Sequence, residues 1–154
     1  MNPDRAFDMA CDLITEHVYN KFDAGLFAWN NCVLSIGKAY YLDDGTPIIE
    51  LSRPLVELNS EEEVRDTILH EIAHVLTWGD DHGPKWQAEC RRLGCRPEAD
   101  WGDSIVKVPH KYELWRGCDP AFTGKVWYRK PRMTVDRFLC NTCGEGCFEI
   151  RKVK

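Results

Sequence analysis

Residues 60–76 read Ser60-Glu61-Glu62-Glu63-Val64-Arg65-Asp66-Thr67-Ile68-Leu69-His70-Glu71-Ile72-Ala73-His74-Val75-Leu76, and this stretch decides the reading of the whole chain. Ser60 and Glu63 have the spacing of a capping box, in which each side chain bonds the other residue's backbone N–H. Behind the box, Val64, Ile68, Ile72 and Val75 form one apolar stripe, so a helix over 61–77 is expected to seat on a sheet, with its motif on the polar face opposite the stripe. Within it, His70-Glu71-Ile72-Ala73-His74 matches H-E-x-x-H. Residues four apart share a helix face, so His70 and His74 can offer imidazole nitrogens to one Zn²⁺, about 2.0–2.1 Å away. Glu71 projects to the side, where its carboxylate can act as general base on a zinc-bound water without ligating the metal.

Working outward, Gly79 is the expected stop of that helix and Gly83-Pro84 the start of the next, which Gly94 ends, with Trp86, Cys90 and Leu93 on one face. The turn between them carries His82, the preferred third zinc ligand, which leaves a fourth position for water as a catalytic site requires. Glu89 on the following helix is the rival third ligand; Asp80 and Asp81 could ligate the metal or orient a histidine, but the preferred reading is that they only close the turn.

Upstream, Asn2-Pro3 reads as N-cap and first turn of an amphipathic helix over 3–22, ended by the glycine-containing segment Asp23–Asn31. Cys32–Leu42 and Thr46–Leu51 flank Asp43-Asp44-Gly45, the pattern of a β-hairpin. Gly37-Lys38 lacks the rest of a phosphate-binding loop and reads as a bend or bulge in a strand. Residues 96–109 read as a linker. Lys111–Trp115, Lys125–Tyr128 and Cys147–Val153 are short β-like stretches, too few to bury a core unaided, so something must staple them.

Charge and cysteine usage divide the chain in the same place. Residues 1–104 hold 9 Lys/Arg against 20 Asp/Glu, a formal −11, while residues 105–154 hold 11 against 5, a formal +6. Of eight cysteines, Cys118, Cys140, Cys143 and Cys147 crowd into that basic part, whereas Cys11, Cys32, Cys90 and Cys95 lack ligand spacing and read as small buried hydrophobes. Cys140-Asn141-Thr142-Cys143 has the spacing of a zinc knuckle. The expected structural zinc uses Cys118, Cys140, Cys143 and Cys147, with His110 in place of Cys147 as the alternative and a metal-free hairpin as the bland reading.

Arg116, Lys125, Trp127, Arg129, Lys130 and Arg132 interleave cations with aromatics, a composition that can neutralise phosphates and stack bases, though a solvated basic hairpin shares it. No apolar run approaches the roughly 18 residues needed to span a bilayer. No secretory signal is apparent at the start, so a non-secreted protein of the cytoplasm, nucleoid or nucleus, without membrane association, is expected; a monomer is the default expectation.

The segments Ile48-Ile49-Glu50-Leu51-Ser52, Thr67–Leu76, His82-Gly83-Pro84-Lys85-Trp86 and Leu93-Gly94-Cys95 resemble the SprT-like (Spartan-type) family of zinc metallopeptidases. The resemblance implies an α+β fold, with a zincin-like core of helices on a small sheet over residues 1–104 and a small β zinc-ribbon-like unit over 105–154. It implies His70, His74 and His82 as zinc ligands and Glu71 as acid/base. An extended peptide is expected along the edge strand, and proteins attached to DNA are the implied substrates. The ribbon departs from the family pattern, since Trp115 stands where the first upstream cysteine is expected. Two rival readings remain open: a nucleic-acid-binding zinc module whose body is a non-catalytic scaffold, and a structural protein that uses zinc only to hold its fold.

Overall fold

The computed structural model describes the chain apart from residues 19–25, 100–103, 120, 123, 129, 130, 132–134, 136–138, 145 and 154. It divides into two compact units, Met1–Lys107 and Val108–Lys154.

In the first unit, helix α1 (Pro3–His17) begins where the Asn2 side chain accepts from the N–H groups of Asp4 and Arg5, at 2.8 and 3.2 Å. Its buried face is Ala6, Ala10, Leu13 and Ile14. The helix is described to His17, with Val18 as its C-cap, and positions 19–22 of the expected 3–22 helix lie outside the described residues.

Strand β1 (Leu26–Asn30) falls within the segment Asp23–Asn31, which was expected only to end the first helix. It pairs in parallel with β3 (Pro47–Ser52), which pairs antiparallel with β2 (Gly37–Tyr41), giving the order β1-β3-β2. The central strand β3 is buried at five of six positions, as a strand flanked on both edges requires. The β2–β3 hairpin turns on Gly45 at φ 85°, with Asp44 accepting from the Thr46 N–H. The sequence reading began its strand at Cys32, but the backbone becomes extended and paired only at Gly37.

A short helix, α2 (Arg53–Leu58), also went unread; the Ser52 hydroxyl caps it by accepting from the Leu55 N–H at 3.3 Å. Asn59 follows, and its amide bonds the Leu55 carbonyl and both backbone groups of Val106, which fastens the end of the unit.

Helix α3 (Glu61–Leu76) lies in the middle of this unit. Ser60 accepts from the Glu63 N–H at 3.2 Å, so half of the expected capping box forms. The Glu63 carboxylate, rather than returning the bond, goes to Arg96 and Ser104, because Arg96 brings a guanidinium that also grips Asp66 at 2.7 Å. The expected polar face is corrected too: the helix is buried on nearly every side through its second half, including His70 and Glu71. Helix α4 (Pro84–Leu93) packs on α3, buries Trp86, Cys90 and Leu93, and ends at Gly94 in the left-handed region, φ 80°.

In the second unit, β4 (Tyr112–Arg116) lies between β5 (Val126–Trp127) and β6 (Phe148–Lys152), antiparallel to both. Among the described residues its sheet has three short strands, and the buried side chains there are few: Val135 and Cys140.

Candidate metal and active site

The mid-helix position of the motif places His70 and His74 one turn apart, and the turn after α3 brings His82 back to them. His74 Nε2 stands 3.3 Å from His70 Nε2 and 3.2 Å from His82 Nε2. Nitrogens held about 2.0–2.1 Å from one tetrahedral ion lie roughly 3.3 Å apart, so three imidazoles with this convergence suit zinc in donor type and in spacing.

The turn that delivers His82 is built by Asp80. Its Oδ2 accepts from the N–H groups of Lys85 and Trp86, at 2.8 and 2.9 Å, and so caps α4 across the loop. A Cβ on Gly83 would lie 2.7 Å from that carboxylate, so the glycine is what lets the cap close. Asp81 adopts φ 40°, and its carboxylate lies 3.5 Å from His82 Nδ1. The turn closure expected of Asp80 is therefore accomplished by a side chain that reaches the next helix. Beneath the triad, the fully buried Trp86 ring stacks on His74 at 5.2 Å and 26° and meets His70 and His82 edge-on at 4.8 and 4.6 Å. Glu89 is paired to Arg92 at 2.6 Å and is not among the residues whose ligand atoms converge.

Glu71 is buried against strand β2. Burial raises its carboxyl to about 8, opposed by the hydrogen bond from the Ala39 backbone. Burial likewise lowers His70 to about 3 and His74 to about 4, with the neighbouring imidazoles adding to both shifts. These two rings are neutral at pH 7, the form in which imidazole ligates a metal.

The strand comes this close because residue 37 is glycine: a Cβ there would stand 2.6 Å from Glu71 Oε1 and 2.7 Å from Thr67 Cγ2. Gly37 sits in unbroken register opposite Leu51, so the bend or bulge expected there is replaced by a regular strand whose glycine admits a neighbouring carboxylate. Sequence reasoning missed Gly37 and Ala39 at this site, and it placed Trp86 only in the core. The signal available for Gly37 was its position inside a β-branched and aromatic run, where glycine marks a close approach. A cleft of about 730 Å³ opens over His70, Glu71, His74 and His82, with edge strand β2 along it.

In the second unit, Cys118 follows β4, Cys147 precedes β6, and Cys140 and Cys143 lie on one turn. Their sulfurs converge, with Cys118–Cys140 at 3.6 Å, Cys143–Cys147 at 3.5 Å and Cys147–Cys118 at 3.4 Å. Four thiols at this spacing suit a structural zinc with bonds near 2.3 Å. The Cys143 and Thr142 N–H groups lower the Cys140 thiol to about 6, which favours the ligating thiolate. His110 does not join this group.

Of the residues expected to face nucleic acid, Arg116 pairs with Asp119 and lies over the Phe122 ring at 4.4 Å. Lys125 is exposed and Trp127 partly exposed, while Arg129, Lys130 and Arg132 lie outside the described residues. Among the described residues no helix is long and apolar enough to cross a membrane.

The first unit is a mixed α and β domain that gathers three imidazoles and a buried glutamate on one helix and its following turn, which is consistent with a metallopeptidase-like domain. The SprT-like family model matches residues 10–109, and the chain belongs to that family. It is also similar to the germ cell nuclear acidic-1 protein of Caenorhabditis elegans, at 27% identity over 125 residues, an alignment that covers 71% of this chain and 22% of that protein. The chain therefore spans under a quarter of that relative's length.

Proposed function

We propose that the protein is a zinc-dependent endopeptidase in which His70, His74 and His82 hold the metal and Glu71 is the general base. The observation that carries this reading is the convergence of three imidazole Nε2 atoms beside a buried carboxylate, at the foot of a cleft bordered by an edge strand. A zinc ion bound there supplies a Lewis acid that polarises a carbonyl and acidifies water.

The chain's own residues do the rest. Glu71 takes the proton of the attacking water and passes it to the leaving amine, its carboxylate being the form that a cation held by the adjacent imidazoles would favour. The Ala39 backbone fixes its orientation. Trp86 holds the three imidazole rings from below and excludes water from that side. Strand β2, at the edge of its sheet among the described residues, offers an extended substrate backbone a partner for strand addition.

The four cysteines hold a second, structural zinc that staples the small unit. The basic composition of residues 105–154, with Lys125 and Trp127 at the surface, supports binding to DNA, and proteins bound or crosslinked to DNA as substrates. The name of the worm relative, a germ cell nuclear protein, accords with a nuclear setting. The experiment is removal of metal with a chelator followed by zinc add-back, on wild type, His82→Ala and Glu89→Ala. Cleavage of a protein substrate should return in wild type and Glu89→Ala but not in His82→Ala, and the reverse pattern would make Glu89 the third ligand.

A further inference from the structure

The two most exposed large apolar side chains described in the first unit are Leu34, 80% exposed, and Trp78, 60% exposed, and both line the cleft. Large apolar groups left in water at a concave site mark a surface that expects a ligand. Their placement along the edge strand is specific. Leu34 stands three residues before β2 begins, whereas Trp78, two residues beyond the end of α3, rests edge-on against Tyr41, the last residue of β2, with ring centroids 4.5 Å apart. Tyr41 is itself fixed by its hydroxyl, which donates to the Val75 carbonyl at 2.8 Å. Between these ends, Gly37 and Ala39 are the strand residues that meet Glu71. Strand β2 covers about 13 Å at roughly 3.3 Å per residue, enough for several residues of an extended chain.

We propose that Leu34 and Trp78 are specificity-determining residues, each forming an apolar subsite on a different side of the scissile bond, so that the cleft selects an extended polypeptide with bulky apolar side chains flanking the bond to be cut. This rests on the endopeptidase reading given above. Trp78 is a rigid wall, since Tyr41 backs it, and it suits Phe, Leu or Met side chains; Leu34 is a smaller contact on a loop.

The test uses the full-length zinc-loaded protein and a degenerate peptide library, with cleavage sites mapped by mass spectrometry. Wild type should enrich bulky apolar residues on both sides of the cut. Trp78→Ala should lose the preference on one side and Leu34→Ala on the other, each by about tenfold in relative kcat/KM, and Trp78→Phe should restore most of the first. Equal enrichment in wild type and both alanine variants, or no apolar enrichment, would overturn the proposal. A separate arm measures binding of labelled Leu/Phe and all-Ala peptides to the Glu71→Gln protein by anisotropy. Tighter binding of the apolar peptide that Trp78→Ala abolishes supports the subsites even if wild type cleaves nothing; equal binding of the two peptides overturns them whatever the fate of the catalytic reading.

Discussion

The Gly37 α-carbon and the Glu71 carboxylate are in such close approach that a methyl group on Gly37 would lie 2.6 Å from Glu71 Oε1. The glycine is thus a condition for Glu71 and the edge strand to share one wall of the cleft. Gly37→Ala should cost about 1–3 kcal/mol by overpacking and turn Glu71 away from Ala39. Thermal unfolding should show the loss. Adding Thr67→Ser, which removes the methyl 2.7 Å from the new Cβ, should recover part of the stability but not the cleavage rate.

Three shifted groups of the first unit bear on the stability of metal-free protein against pH. His70 and His74 are depressed, to about 3 and about 4, so the stability they contribute is present above the unfolded value of 6.5 and is lost as pH falls through the folded values. Glu71 is raised from 4.5 to about 8, so its contribution is present below 4.5 and is lost as pH rises toward 8. Between 4.5 and 6.5 the two histidines outweigh the one glutamate, and stability rises with pH; from 6.5 to about 8 the histidines are silent and Glu71 lowers stability by about 1.4 kcal/mol per pH unit, against an opposite contribution from Cys140, whose thiol is lowered from 9.0 to about 6. Chelator-treated wild type should therefore lose stability relative to Glu71→Gln as pH rises from 6.5 to about 8. A wild type and a Glu71→Gln variant with parallel profiles above pH 6.5 would contradict the burial of that carboxyl.

Asp80 reaches across the loop to cap α4 with two hydrogen bonds. Asp80→Ala should destabilise the protein by about 1–2 kcal/mol, the usual worth of a lost cap, and should weaken zinc binding because the same loop carries His82. Calorimetry and competition with a zinc chelator read the two effects separately. Unchanged zinc affinity would show that His82 is held by other contacts.

Cys140→Ser removes the sulfur that accepts from the Thr142 N–H at 3.4 Å and lies 3.6 Å from Cys118. Elemental analysis should find two zinc ions per chain in wild type and one in this variant, with peptide cleavage retained. One ion in both proteins would mean that the cysteine cluster is metal-free.

The elements that local pattern specifies were readable: the Asn2 and Ser60 caps, the Gly45 turn, the Gly94 stop and the 3.6-residue stripe of α3 each depend on residues close in sequence. Strand β1 was not, because Leu26-Phe27-Ala28-Trp29-Asn30 becomes a strand only by pairing with β3, some twenty residues away. The six-residue α2 is too short to show a period. Half of the capping box failed for a similar reason: Arg96, distant in sequence, outbids the backbone for Glu63. At the site, the convergence of His70, His74 and His82 was legible because it follows from spacing on one helix and one turn. The roles of Gly37, Ala39 and Trp86 lie in what they allow or cover across the fold, which no spacing rule encodes.

The most direct test of the account is the Glu71→Gln protein, assayed for zinc content and for peptide-bond cleavage in parallel with wild type. Glutamine keeps the shape of the side chain and cannot take a proton, so the account predicts unchanged zinc occupancy and cleavage reduced by at least about a hundredfold. Cleavage at the wild-type rate by a zinc-loaded Glu71→Gln protein would contradict it.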